Sequence, residues 1–102
     1  MSVINLTSEN FESEVILSDK NVLVDFFANW CAPCRVMSLV ADEIAEEHPE
    51  IKVCKVNVDE QPQLAARFSV ESIPTLIAFK NGIAVNSAVG SMPKRAVLKM
   101  IL

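Results

Sequence analysis

Hydrophobic and polar residues recur along this chain with two different periods, and the switches between them mark its elements. Residues 3–6 open as a short apolar run, read as a strand. Thr7 then precedes a stretch, 8–17, in which Phe11 and Val15 stand at i, i+4; the spacing predicts a helix with Thr7 as its N-cap. Ser18-Asp19-Lys20-Asn21 is a turn. Residues 22–28 are apolar at nearly every position rather than at every second one, as a central strand covered on both faces should be. Pro33 fits the first turn of the next helix, where a missing N–H costs nothing. That helix is expected to carry Val36, Leu39, Val40 and Ile44 on one stripe and a solvated stripe of Asp42, Glu43, Glu46 and Glu47, with His48-Pro49 ending it.

Residues 51–58 predict a further strand. Pro62 starts a short helix through Phe68, with Leu64, Ala65 and Phe68 facing inward, and 69–73 is a loop. Residues 75–80, Asn81-Gly82 and 83–89 read as strand, tight turn and strand, a hairpin. Gly90 and Ser91 open a last helix, with Pro93 in its first turn and Val97, Leu98 and Ile101 along its face. The order is βαβαβαββα. Such alternation predicts an α/β fold with a mainly parallel sheet covered on both sides and the hairpin as an antiparallel edge. No repeat, low-complexity tract or linker interrupts it, so residues 1–102 read as one domain.

An apolar fraction of 51 % against 22 % charged residues is enough to build a core. Two glycines exclude collagen-like, Gly-linker and Gly-rich phosphate-loop readings. A net charge of -4, with nine scattered basic residues and Lys94-Arg95 their one adjacent pair, argues against a nucleic-acid surface. No run approaches the ~18–20 apolar residues of a membrane span. Met1-Ser2-Val3-Ile4-Asn5 lacks the basic and apolar regions of a secretory signal, so a cytoplasmic protein is expected.

Three cysteines do not make a disulfide scaffold. Two of them stand as Cys31-Ala32-Pro33-Cys34 where a strand hands over to a helix. That spacing sets their Cα atoms about 5–6 Å apart, within reach of a disulfide. Cys31, ahead of the helix, faces its free N–H groups and the positive end of its dipole, which favour the nucleophilic thiolate. Cys34, inside the first turn, is expected to be the more buried and to donate an S–H bond to the Cys31 sulfur. The pattern points to thiol–disulfide exchange, with Cys31 attacking and Cys34 resolving. The residues also allow an inert core pair or half of a zinc site. Zinc would want four ligands, only Cys54 and His48 remain, and no metal site is expected.

Asp25 interrupts an apolar strand. Burial there raises a carboxyl pKa, so the group can hold a proton near neutrality; a structural ion pair is the alternative. Lys55 alone reads as a solvent-facing strand residue, Cys54 as an inert core thiol and His48 as a helix-end residue. Met37, Met92 and Met100 read as packing. Trp30 is either core or part of a docking rim beside the nucleophile.

The run Val24-Asp25-Phe26-Phe27-Ala28-Asn29-Trp30-Cys31-Ala32-Pro33-Cys34, with Ser72-Ile73-Pro74-Thr75 and Phe79-Lys80-Asn81-Gly82 downstream, closely resembles the thioredoxin family over essentially the whole chain. The resemblance implies a thioredoxin fold, a central mixed five-stranded sheet flanked by four helices. It implies a protein-disulfide reductase that cycles a Cys31–Cys34 disulfide, with a proton relay at Asp25 behind Cys34 and Lys55 near that acid. It further implies a cis Ile73–Pro74 bond against the sulfurs and a substrate-contact surface of Trp30, Ala32, Pro33, Ile73, Val89, Gly90 and Ser91. No bound cofactor is implied. A flavin-dependent thioredoxin reductase would supply electrons to a monomer, and ribonucleotide reductase, peroxiredoxin or methionine sulfoxide reductase would be typical clients. The rivals are a same-fold oxidase or isomerase and a binding subunit whose dithiol is incidental. Ala32, where the family most often has glycine, bears on redox poise.

Overall fold

A computed structural model describes residues 3–102; Met1 and Ser2, the start of the stretch read for a secretory signal, lie outside them. Strands β1 (Val3–Asn5), β2 (Asn21–Phe27), β3 (Ile51–Asn57), β4 (Thr75–Lys80) and β5 (Ile83–Val89) form one sheet in the order β1-β3-β2-β4-β5. β2 is its centre and is buried from Val22 to Phe26, as its unbroken apolar run predicts. The β1–β3 and β2–β3 pairs are parallel; the β2–β4 and β4–β5 pairs are antiparallel. The sheet is therefore evenly mixed rather than mainly parallel. The reason lies between β3 and β4. Helix α2 (Pro62–Arg67) has six residues, about 9 Å of rise, against ~23 Å for a seven-residue strand. The chain re-enters the sheet at the end it left. The C-terminal ends of β2, β3 and β5 and the start of β4 thus meet at one end of the molecule.

Three α-helices are present among the described residues: α1 (Ala32–Glu47), α2, and α3 (Lys94–Ile101). The helix expected over 8–17 is instead a π-helical turn at Glu12–Ile16. Thr7 and Asn10 close a separate turn ahead of it. Thr7 N–H donates to Asn10 Oδ1 at 2.8 Å and Asn10 N–H to Thr7 Oγ1 at 3.3 Å. Thr7 caps as its residue type predicts, but the reciprocal bonds use up the first expected helical turn. Phe11 and Val15 are buried nonetheless.

Helix α1 ends at His48, whose N–H donates to Ile44 O at 2.8 Å. Its inward stripe is Cys34, Met37, Ala41, Ile44 and Ala45. Val36 and Leu39, expected inside, are exposed, and Val40 is half-buried. Small residues at 41 and 45 let the helix pack close on the sheet, which decides the face over the larger side chains. Helix α3 starts later than expected, with Pro93 as its N-cap. Gly90 has φ +96°, a conformation that cannot open a right-handed helix.

The sheet has two covered faces. On one, Val22, Val24, Phe26, Cys54, Val56, Ile77 and Phe79 pack against Phe11, Val15 and Leu64, with Phe68 alongside. On the other, Leu23, Val53, Leu76 and Ala78 pack against Met37, Ala41 and Ile44 of α1 and Val97 and Ile101 of α3. Strand alternation puts Asp25, two residues after Leu23, on this second face. The hairpin turns through Asn81 (φ 53°) and Gly82 (φ 76°), the left-handed pair that Asn-Gly favours. A Cβ at Gly82 would also fall 2.5 Å from Ile16 O.

Candidate active site

β2 delivers the chain to the convergent end of the sheet, and a turn at 28–31 hands it to α1. Cys31 N–H donates to Ala28 O at 3.2 Å. Cys31 is the N-cap of α1, in extended backbone, and its Sγ accepts the Cys34 N–H at 3.3 Å. The two cysteines form a disulfide with Cα atoms 5.3 Å apart, the separation their spacing predicts. They are exposed by 5 % and 2 %, so burial hardly separates them. Hydrogen bonding does: the bond that reaches the Cys31 sulfur comes from the Cys34 backbone N–H, one of the free donors of the helix start. Ala28 packs on the pair, with Phe27, Val58 and Ile73 around it.

The start of β4 supplies the opposite wall. The Ile73–Pro74 bond is cis and Pro74 is buried. Ile73 O lies 3.9 Å from Cys31 Sγ. Gly90 N–H donates to Pro74 O at 2.8 Å, and Val89 pairs with Thr75 in register. These bonds bring Ile73, Pro74, Val89, Gly90 and Ser91 together although 14 residues lie between the two segments. Val89 is 64 % exposed, and Ala32, Pro33 and Ser91 are exposed too. Trp30 is 70 % exposed and so belongs to the surface, not the core. Its Nε1 donates to Asp59 Oδ2 at 2.9 Å. Asp59 escaped the sequence reading. It lies in a turn where Asn57 Oδ1 accepts from the Asp59 N–H, and its reach to Trp30 is tertiary.

Asp25 is fully buried, and among the described residues neither carboxyl oxygen has a hydrogen-bond partner. Burial raises its pKa to about 7; the Lys55 charge works against that rise and Asp42 adds to it. Asp25 is thus no member of a structural ion pair. Lys55 lies opposite it in the β2–β3 register. The Lys55 side chain is 12 % exposed, which corrects the solvent-facing reading. Its Nζ bonds to Ser38 and Asp42 of α1, two residues the sequence did not single out.

Cys54 is free and buried on the other face, and burial pushes its thiol up to about 12. His48 is a helix end whose Nδ1 lies 3.1 Å from Glu50 Oε2. Among the described residues no group of three or more His, Cys, Asp or Glu side chains could hold a metal ion. The zinc alternative has no ligand set, because Cys54 and the disulfide belong to different core clusters.

A family model described as Thioredoxin matches residues 2–102. The chain is 50 % identical to the thioredoxin of Porphyra purpurea over 95 residues, covering 92 % of this chain and 89 % of that protein. It is 51 % identical to thioredoxin 1 of a Nostoc species over 90 residues, 87 % and 84 % of the two chains. Against the chloroplastic thioredoxin M5 of rice, Oryza sativa subsp. japonica, identity is 42 % over 100 residues, 97 % of this chain and 58 % of the rice protein.

The chain belongs to the thioredoxin family. It is a thiol–disulfide oxidoreductase, and its close cysteine pair supports reduction of disulfides by dithiol exchange. Thioredoxins carry no cofactor of their own; their partners are a reductase and disulfide-bearing clients. No helix among the described residues is long and apolar enough to cross a membrane.

Proposed function

We propose that residues 1–102 form one thioredoxin domain acting as a protein-disulfide reductase and electron carrier, with Cys31 as nucleophile and Cys34 as resolving thiol. In the dithiol form the Cys31 thiolate attacks one sulfur of a client disulfide. A mixed disulfide forms, and the client's other sulfur leaves as a thiolate that takes up a proton. Cys34 then loses its proton to the Asp25 carboxylate and attacks Cys31 Sγ. The Cys31–Cys34 disulfide closes and the second client sulfur leaves. Two electrons pass to the client with two protons, one given by Cys34 through Asp25 and one drawn from solvent, where Cys31 left its own. The observation that carries this reading is the Cys34 N–H on Cys31 Sγ at the start of α1, which favours negative charge on the outer sulfur.

Asp25 suits the proton step because burial holds its pKa near 7, where a group both gives and takes a proton. Lys55 tunes it from the neighbouring strand. Pro74 walls the sulfurs, and Trp30, Ala32, Pro33, Ile73, Val89, Gly90 and Ser91 make the contact surface. An extended client segment there would meet apolar side chains and free backbone groups. Electrons come from a flavin-dependent thioredoxin reductase. Ribonucleotide reductase, peroxiredoxin and methionine sulfoxide reductase are the client types. The protein works as a monomer in the cytoplasm, where thiols stay reduced.

Insulin-disulfide reduction tests the assignment. Cys31→Ser loses turnover by a factor of roughly 10³ or more, whereas Cys34→Ser accumulates mixed disulfides through Cys31. Equal turnover of the parent and Cys31→Ser would reject it. A reduction potential near that of a strong oxidant would instead favour the oxidase reading.

A further inference from the structure

Lys55 stands across from Asp25 in the sheet, yet its ammonium bonds elsewhere. Nζ donates to Ser38 Oγ at 2.5 Å and to Asp42 Oδ1 at 2.9 Å, with Ser38 O at 3.5 Å. Ser38 and Asp42 are four residues apart and share one face of α1. The lysine is largely shielded from water, so this is not a loose surface pair. Among the described residues Asp25 has no hydrogen-bond partner at either oxygen. Two groups on α1 claim the ammonium that the buried carboxyl lacks.

We propose that Ser38 and Asp42 are positioning residues: they hold the Lys55 ammonium on the α1 side, short of Asp25, and so keep Asp25 able to carry a proton. A lysine free to close on Asp25 would fix it as a carboxylate in an ion pair, unable to take up a proton readily. With no lysine at all, burial alone would hold the proton too tightly to release it. The tether sets the balance between the two. The other groups around Asp25 do not compete. β4 places Leu76 against it, α3 brings Val97 and Ile101 to the same face, and α1 covers that face with Met37, Ala41 and Ile44. Lys55 and Asp42 are the charges that act on it. The consequence for catalysis rests on the proton-relay role proposed above for Asp25; the tether itself is read from the titration of Asp25.

Carbon-13 NMR titration of the Asp25 carboxyl in the full-length oxidised protein tests it. Asp42→Asn is expected to lower the midpoint by about one pH unit, a tenfold gain in acidity. Ser38→Ala moves it the same way by less, and Lys55→Met raises it. In a Lys55→Met background, Asp42→Asn shifts the midpoint by less than half as much, because only the loss of Asp42's own repulsion remains. An unmoved midpoint in Asp42→Asn overturns the tether and leaves the relay role of Asp25 standing. An equal shift with and without Lys55 also overturns it, since Asp42 then acts through space alone. A midpoint that moves while the pH profile of insulin reduction stays put upholds the tether and removes Asp25 from the proton step.

Discussion

The two faces of the sheet each bury an ionisable group from a central strand, with opposite results. Under the π-helical turn and α2, Cys54 lies in a cluster of Val, Leu and Phe side chains that includes the tilted and edge-to-face rings of Phe11, Phe26, Phe68 and Phe79. Its thiol is pushed up to about 12 and stays neutral at any physiological pH. Under α1, Asp25 is buried as deeply, with a lysine in register and a dithiol-bearing helix above, and its pKa is raised to about 7. In both, burial raises the pKa and a lysine charge, Lys52 or Lys55, works against the rise. The thiol starts near 9.0 and is silenced, whereas the carboxyl starts near 3.8 and arrives near neutrality, where it can exchange a proton. Both faces bury a core, and the second also holds the acid proposed for the proton step.

That division is sharpest where stability and activity separate. Phe26→Ala on the aromatic face is expected to cost about 3–5 kcal/mol in urea unfolding, with exchange per folded molecule unchanged. A variant that keeps its stability but loses turnover would break the division. Asp25→Asn should do the reverse. The folded-state pKa of Asp25 lies above its unfolded value. The unfolded chain therefore gives up its proton first as pH rises, and stability falls between about pH 4 and about pH 7. The variant escapes this loss. Urea curves should show it more stable than the parent at pH 7 and above, by on the order of 3–4 kcal/mol, with the advantage gone below pH 4. Its resolution step should slow at neutral pH. An equal margin at pH 4 and pH 8 would mean that Asp25 does not titrate as described.

Gly82→Ala forces a side chain into a left-handed turn against Ile16 O and should cost about 1–3 kcal/mol without touching the dithiol. Cys54→Ala is the mildest test. A loss of about 1 kcal/mol with unchanged insulin reduction is expected, and in the parent a thiol reagent should label Cys54 only on unfolding. Rapid labelling of Cys54 in the native protein would erase the contrast with Asp25.

Much of the site was legible because its chemistry is local. Cys31 and Cys34 lie within one helical turn, and Pro33 and the helix start were readable from residue type. The lone carboxyl of Asp25 in an apolar run announced a perturbed acid. The inner face of α1 was not legible: Val36 and Leu39 are larger and more apolar than Ala41 and Ala45, and only close packing on the sheet turns the smaller residues inward. Trp30 could be core or rim until Asp59 anchored it outside. Lys55 looked exposed because its partners lie 13 and 17 residues earlier on α1.

The amino-acid sequence by itself determined the elements whose causes act within a few residues. These are the buried central strand, the dithiol at the helix start, the Asn-Gly hairpin and the helix stop at His48. Tertiary structure decided whatever depends on distant segments meeting. It ran β4 antiparallel because α2 is too short to carry the chain back, drew Gly90 onto Pro74 beside the sulfurs, and gave the Lys55 ammonium to α1 instead of Asp25. Hydrogen bonds and charges act over a few ångströms of space, and chain closure alone brings those groups within that range.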